Sequence, residues 1–111
     1  MIMSKELTAA TAVPIILAIL QLESSYGYAI IQRVREISNN EITWSDGMLY
    51  PVLHRLEAAQ LITSYWKSSE SKRRRKYYRI TEAGNRELEL IKSQWSMVQL
   101  ALDNLEKERR P

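Results

Sequence analysis

Apolar residues recur along this chain in several different rhythms, and each rhythm predicts its own kind of element. From residue 12 to residue 20 nearly every position is apolar. A helix that is apolar all round must be covered on more than one side. Ser4 supplies an N-cap and Glu6 suits the positive end of the helix dipole, so a first helix is expected over residues 4–22. Pro14 falls inside it, removes one backbone hydrogen bond and is expected to kink it. A chain of 111 residues has too little mass to cover such a helix fully, which points to a partner chain.

Beyond residue 24 the spacing becomes amphipathic. Tyr26, Ile30, Val34 and Ile37 fall on one face of a second helix, about 26–38, with Ser24 or Ser25 as its cap. Ser38, Asn39 and Asn40 close it with residues that favour turns. Ile42, Thr43 and Trp44 read as a short extended piece. Ser45 then caps a third helix, about 46–59, whose Leu49, Val52, Leu53 and Leu56 keep the pattern of a helix lying on a core. Pro51 is placed near its first turn, where a missing N–H costs least. Two runs rich in Ile, Thr, Tyr and Trp, residues 61–66 and 75–80, predict strands, and the polar residues 67–74 between them predict a hairpin with a long tip.

Thr81 caps a last helix, about 82–108. Leu88, Ile91, Trp95, Val98, Leu102 and Leu105 are spaced alternately three and four apart, a heptad seam suited to a second copy of the same helix. Leu90, Met97 and Ala101 form another stripe, for which the all-apolar first helix is the natural neighbour. The expected fold is thus mainly α with a small β-hairpin. Residues 1–81 form a winged helix-turn-helix domain and residues 82–111 a C-terminal dimerisation helix.

Composition narrows the chemistry. There is no cysteine, which excludes disulfides, a thiol nucleophile and thiolate metal sites and suits a reducing cytoplasm. One histidine, three glycines and no ligand cluster give no basis for an enzyme, a metal or a cofactor. The N-terminus lacks the order of a signal peptide. The longest apolar run has nine residues, about half of the roughly 20 that span a bilayer, so no membrane role is expected.

Net charge is only +3, yet residues 67–79 hold seven basic groups and one acid, a local +6 that leaves the rest of the chain at −3. Such a concentrated field steers a polyanion to one place. Three helices followed by a hairpin is the order of a winged helix-turn-helix, in which the third helix enters the major groove of duplex DNA and the hairpin lies on the flanking backbone. Lys72, Arg73, Arg74, Arg75 and Lys76 would then face phosphates. The outward face of the third helix would carry Gly47, Pro51, His54 and Arg55, with Met48 and Tyr50 flanking. His54 and Arg55 can donate to guanine or phosphate, and Tyr50 to phosphate. An ordinary solvated loop and ordinary exposed side chains are the alternatives, as is a winged-helix module that binds an acidic protein.

The stretches YGYAIIQRVRE (26–36), GMLYPVLHRLEAAQLI (47–62) and RRKYYRITEAG (74–84) together resemble the PadR family of bacterial transcription regulators, and the chain is similar to the family's short group. The resemblance implies a homodimeric winged-helix repressor on a near-palindromic operator, with the last helix packed on the partner's first. Where the family usually has glycine after the third helix this chain has Gln60, which weakens the case for a left-handed cap there. Ser71 and Lys72 leave the turn at the wing tip open. A drug-sensing member of the short group sandwiches flat aromatic compounds with a tryptophan of its last helix. Trp95 falls at that place, and the resemblance implies a pocket completed by Leu7, Ala10 and Pro14. Gln94 and Gln99, within helical reach of Trp95, are neutral and favour a neutral planar ligand. A tryptophan serving only as interface core is the alternative.

Overall fold

A computed structural model describes residues 3–109. Met1, Ile2, Arg110 and Pro111, which the expected division into residues 1–81 and 82–111 included, lie outside the described residues. Four helices and three strands follow in the order α1 (Lys5–Leu22), β1 (Ser25–Tyr26), α2 (Gly27–Ile37), α3 (Asp46–Ala58), β2 (Ile62–Ser68), β3 (Arg74–Ile80) and α4 (Glu82–Glu108). The caps fall where the sequence places them for three helices. The hydroxyls of Ser4, Ser45 and Thr81 accept from the backbone N–H of Leu7, Met48 and Gly84 at 3.1, 3.2 and 3.0 Å, each satisfying one of the donors a helix start leaves open.

The core is one cluster. Ala12, Ile16, Leu17 and Leu20 of α1 meet Ile30 and Val34 of α2, Leu49, Leu53 and Leu56 of α3, Ile62 and Tyr78 of the sheet, and Leu88 of α4. By length and composition α1 would suffice to cross a bilayer, with a mean hydropathy of 1.5. Here its buried side chains belong to the common core instead. Pro14 lies inside α1 without ending it.

Four expectations are corrected. The cap of α2 is Tyr26, which makes no side-chain capping bond. Ser25 is not free for that role because it pairs with Tyr78 in the sheet, as Tyr26 does with Tyr77. These two residues add a third strand to the expected two-stranded hairpin, in an antiparallel sheet ordered β1-β3-β2. Ile37 is exposed and Ile31 is buried in its place, since α2 stops at Ile37 and the chain turns away through left-handed Asn39 and Asn40. Pro51 is the sixth residue of α3, past the first turn where a missing N–H costs least, so the helix carbonyl it would have bonded, that of Gly47, loses its donor.

Gln60, against expectation, is left-handed (φ 63°). Leu61 N–H donates to Leu56 O and Gln60 N–H to Glu57 O, both at 3.0 Å, the two bonds of a Schellman motif. These paired bonds offset the cost of a non-glycine residue in that conformation. The same turn anchors α4. Thr81 N–H donates to Leu61 O at 3.1 Å and the Thr81 hydroxyl to Gln60 O at 2.8 Å. A methyl group at Gly84 would overlap Leu61 O and the Ile80 side chain. At the other side Gln21 Nε2 donates to Asn85 Oδ1 at 2.9 Å. The end of α3 and the start of α4 therefore share a joint made mainly of backbone. From it α4 runs about 40 Å at 1.5 Å per residue, and the molecule is long, 64 × 31 × 21 Å.

Candidate nucleic-acid interface

The hairpin begins with its register. Ile62 faces Ile80, Ser64 faces Tyr78, Trp66 faces Lys76 and Ser68 faces Arg74 on one side of the sheet. Thr63 faces Arg79, Tyr65 faces Tyr77 and Lys67 faces Arg75 on the other. Strands alternate their side chains, so one face runs from the core (Ile62, Tyr78) out to Trp66, Lys76 and Arg74. As expected of adjacent tyrosines, Tyr78 is buried and Tyr77 is half-buried. The tip is tighter than the sequence suggests, because the strands continue to Ser68 and resume at Arg74. Lys72 N–H donates to Ser69 O and Ser69 N–H to Arg73 O, each at 2.9 Å. Lys72 is left-handed (φ 64°). This is a type I turn followed by a left-handed residue, the usual three-residue hairpin loop.

Five of the wing's cations rest on rings. Arg75 lies 4.5 Å from the Tyr26 centroid, Arg79 5.1 Å from Tyr65, Lys67 and Arg74 each 5.4 Å from Tyr77 and Trp66 respectively, and Lys76 5.6 Å from Tyr78. Tyr77 is itself braced by Tyr26 and Tyr65, at 5.2 and 5.7 Å. A ring's quadrupole steadies a cation without cancelling its charge. Among the described residues Lys76 is the wing cation with a carboxylate partner, Glu57 at 3.7 Å. The local excess of charge thus survives folding.

A cleft of about 640 Å³ lies between wing and helices. Tyr50 and His54 enter it from α3, Gly27 and Tyr28 from the start of α2, and Trp66, Arg73, Arg74, Arg75 and Lys76 from the wing, with Tyr78 also in its lining. Gly27 makes room for Tyr50, whose hydroxyl and ring a Cβ would overlap. Burial, then the charge of Glu57 and the proximity of Tyr50, push the Tyr78 hydroxyl above its usual 10, so it is a neutral group. With positive walls and the uncapped start of α2 at its edge, the cleft suits an anion.

The outward face of α3 is divided. Gly47, Met48, Pro51 and Arg55 open instead onto a groove of about 370 Å³ shared with Met3, Lys5, Thr8 and Ala9. Tyr50 and His54 form one i, i+4 row and Gly47, Pro51 and Arg55 the adjacent one, about 100° away. The ridge between wing cleft and α1 groove is what α3 presents outward. Lys72 stands exposed at the turn, in neither hollow. Residues the sequence reading missed are Gly27, Tyr28, Trp66 and Glu57. Trp66 stands opposite Lys76, a pairing that only the folded hairpin sets; nothing in the local sequence marks Tyr28.

On α4 the seam divides too. Leu88 is 1% exposed and belongs to its own chain's core rather than to a surface open to a partner. Ile91 is half-buried, while Trp95, Val98, Leu102 and Leu105 are exposed, Trp95 at 43%. Leu7 and Ala10 are exposed on α1 and Pro14 is half-buried. Gln99 donates to Asp103 at 2.8 Å. Neither hollow described above is lined by Leu7, Ala10, Pro14, Trp95 or Gln99.

The model of the PadR-like family of transcriptional regulators matches residues 16–90. An uncharacterised protein of Lysinibacillus sphaericus is 34% identical over 89 residues, 80% of this chain and 82% of its own. A transcriptional regulator from Clostridium thermocellum superimposes with a TM-score of 0.81 at 29% identity, over 90% of this chain and 97% of the other. A PadR-like regulator from Bacillus cereus does so at 0.78 and 32% identity, over 91% and 96%. With the winged-helix architecture and the basic cleft, these matches lead to one conclusion: the chain belongs to the PadR-like family of transcriptional regulators.

Proposed function

We propose that this DNA-binding regulator is a homodimeric repressor that acts in the cytoplasm on a near-palindromic operator. The observation that carries the DNA reading is the cleft in which Tyr50 and His54 of α3 face Arg73, Arg74, Arg75 and Lys76 of the wing. The outward ridge of α3, with Gly47, Met48, Pro51 and Arg55 on its far side, enters the major groove. The wing and Lys72 lie on the flanking phosphates, and each neutralised phosphate releases about one counterion. The uncovered apolar residues of α4, from Ile91 to Leu105, support dimerisation, which sets two copies of α3 about 34 Å apart, one turn of DNA. Selection of bound fragments from random duplex DNA tests the whole reading. An inverted repeat is expected, and enrichment of no sequence, with no binding at low salt, would overturn it.

The exposed Trp95 supports a ligand at the dimer seam. A neutral planar aromatic compound would stack on Trp95, between Leu7, Ala10 and Pro14 of α1 and Gln99 of α4. It would change the angle between the α1–α4 pairs and move the two copies of α3 off register. Saturable quenching of Trp95 fluorescence by planar aromatics, abolished in Trp95→Ala, is the expected result; its absence removes the ligand and leaves the DNA reading intact.

A further inference from the structure

We propose that Glu57 is a brake on DNA affinity, a carboxylate in the recognition helix that occupies Lys76 in place of a phosphate and makes Lys76 a positioning residue. The inference rests on the cleft being the DNA interface. Glu57 sits in the last turns of α3 and reaches both wing strands. Its Oε2 accepts from the Ser64 hydroxyl of β2, and its Oε1 lies 3.7 Å from Lys76 Nζ of β3. The two charged side chains are 34% exposed each, and Lys76 lines the cleft. The other ion pairs described, Arg33–Glu36, Arg86–Glu82, Lys92–Glu89 and Arg109–Glu106, join residues three or four apart on one helix. Glu57–Lys76 instead joins two elements of the interface.

This placement has two effects. The Ser64 and Lys76 contacts hold the wing at a fixed angle to α3. They also put one negative charge beside the path of the DNA backbone and cancel one wing charge. Lys76 differs in this from Arg74 and Arg75, whose neighbours are rings and whose charge is free for phosphate. A phosphate that took Lys76 would have to displace Glu57 and then lie against its carboxylate. Lys76 therefore stays with Glu57 in the complex and contributes nothing to counterion release.

The test compares Glu57→Gln, Lys76→Met and the double variant by titration of the full protein with duplex DNA over a range of salt. The neutral amide of Glu57→Gln can still accept from Ser64 but releases Lys76. Glu57→Gln is expected to steepen the salt slope by about 0.9 per protomer, about 1.8 for the proposed dimer, and tighten binding roughly fivefold to tenfold per protomer at 0.1 M salt, for any sequence. Lys76→Met should keep the wild-type slope, and so should the double variant, which is neutral at both positions. A Lys76→Met slope flatter by about 0.9 per protomer, or a Glu57→Gln slope equal to wild type, overturns the brake. The pH titration of the Tyr78 ring by NMR shows whether the carboxylate stands as described: Glu57→Gln should lower its midpoint, because Glu57 is among the causes that raise it. An unmoved midpoint would place Glu57 elsewhere and overturn the inference. If Arg73→Ala/Arg74→Ala/Arg75→Ala also binds like wild type, the cleft reading itself has failed; if that variant is weakened while Glu57→Gln is not tightened, only the brake has.

Discussion

The wing and the outer part of α4 are both exposed, and they leave opposite things unsatisfied. On the wing, five cations lie over aromatic rings and a single one has a carboxylate partner among the described residues. Along α4 three cations are each paired with a carboxylate three or four residues away, Arg86 with Glu82, Lys92 with Glu89 and Arg109 with Glu106, while Trp95, Met97, Val98, Leu102 and Leu105 stand uncovered. One region concentrates positive charge; the other, with six acids to three bases over residues 82–108, carries no positive excess and displays a run of apolar side chains. Water and salt screen the first at a distance, so it selects a partner of dense opposite charge. The second is indifferent to salt and selects a partner with a matching apolar stripe. Under the proposed function, the two surfaces would serve DNA and a second copy of the chain without competing.

The strongest way to break this contrast is to give α4 the character of the wing. Val98→Lys with Leu102→Lys places unpaired charges in the proposed seam, at a cost of several kcal/mol. Sedimentation at micromolar concentration is expected to show single subunits, with operator affinity reduced roughly 1,000-fold, about 4 kcal/mol. Removing the wing's character comes next. Arg73→Ala/Arg74→Ala/Arg75→Ala should flatten the salt slope by about 2.7 per protomer and weaken binding to all sequences alike by roughly 100-fold per protomer at 0.15 M salt, with dimerisation unchanged. Separating the two regions mechanically is a smaller effect. Gly84→Ala forces a methyl group against Leu61 O and should cost about 1–3 kcal/mol of stability, read from a thermal melt. Smallest is the alkaline limb. Tyr78 is buried as a neutral phenol with its midpoint above the usual 10. The stability it lends is fully present below the unfolded value and is lost as pH rises through the folded one. Tyr78→Phe should remove that part of the alkaline decline while leaving melts at neutral pH near wild type.

Periodicity and capping were enough to place α3, α4 and both hairpin strands, because Ser45, Thr81 and the long apolar spacings are strong local signals. What escaped the sequence depends on contacts between distant segments. Ser25 and Tyr26 form a strand because β3 offers them a free edge, and two residues cannot announce that by themselves. Ile31 replaces Ile37 in the core because Ile37 is the last residue of α2, where the chain turns away. Gln60 adopts the left-handed cap because Leu56, Glu57 and Thr81 all bond to the turn around it. In the cleft, the basic residues were legible as a charge run, but not Gly27 and Tyr28, which arrive from another helix. Helical spacing puts Glu57 at the core's edge, and there it is, yet its reach to Ser64 and Lys76 follows from a register that only the folded hairpin sets.

The joint at Gln60, Thr81 and Gly84 separates the aim of the long rod from its content. Since main-chain atoms fix the angle at which α4 departs, substitutions along its outer turns leave the direction of the rod unchanged. Under the proposed pairing, the surface that chooses a twin is free to drift while the reading head keeps its aim.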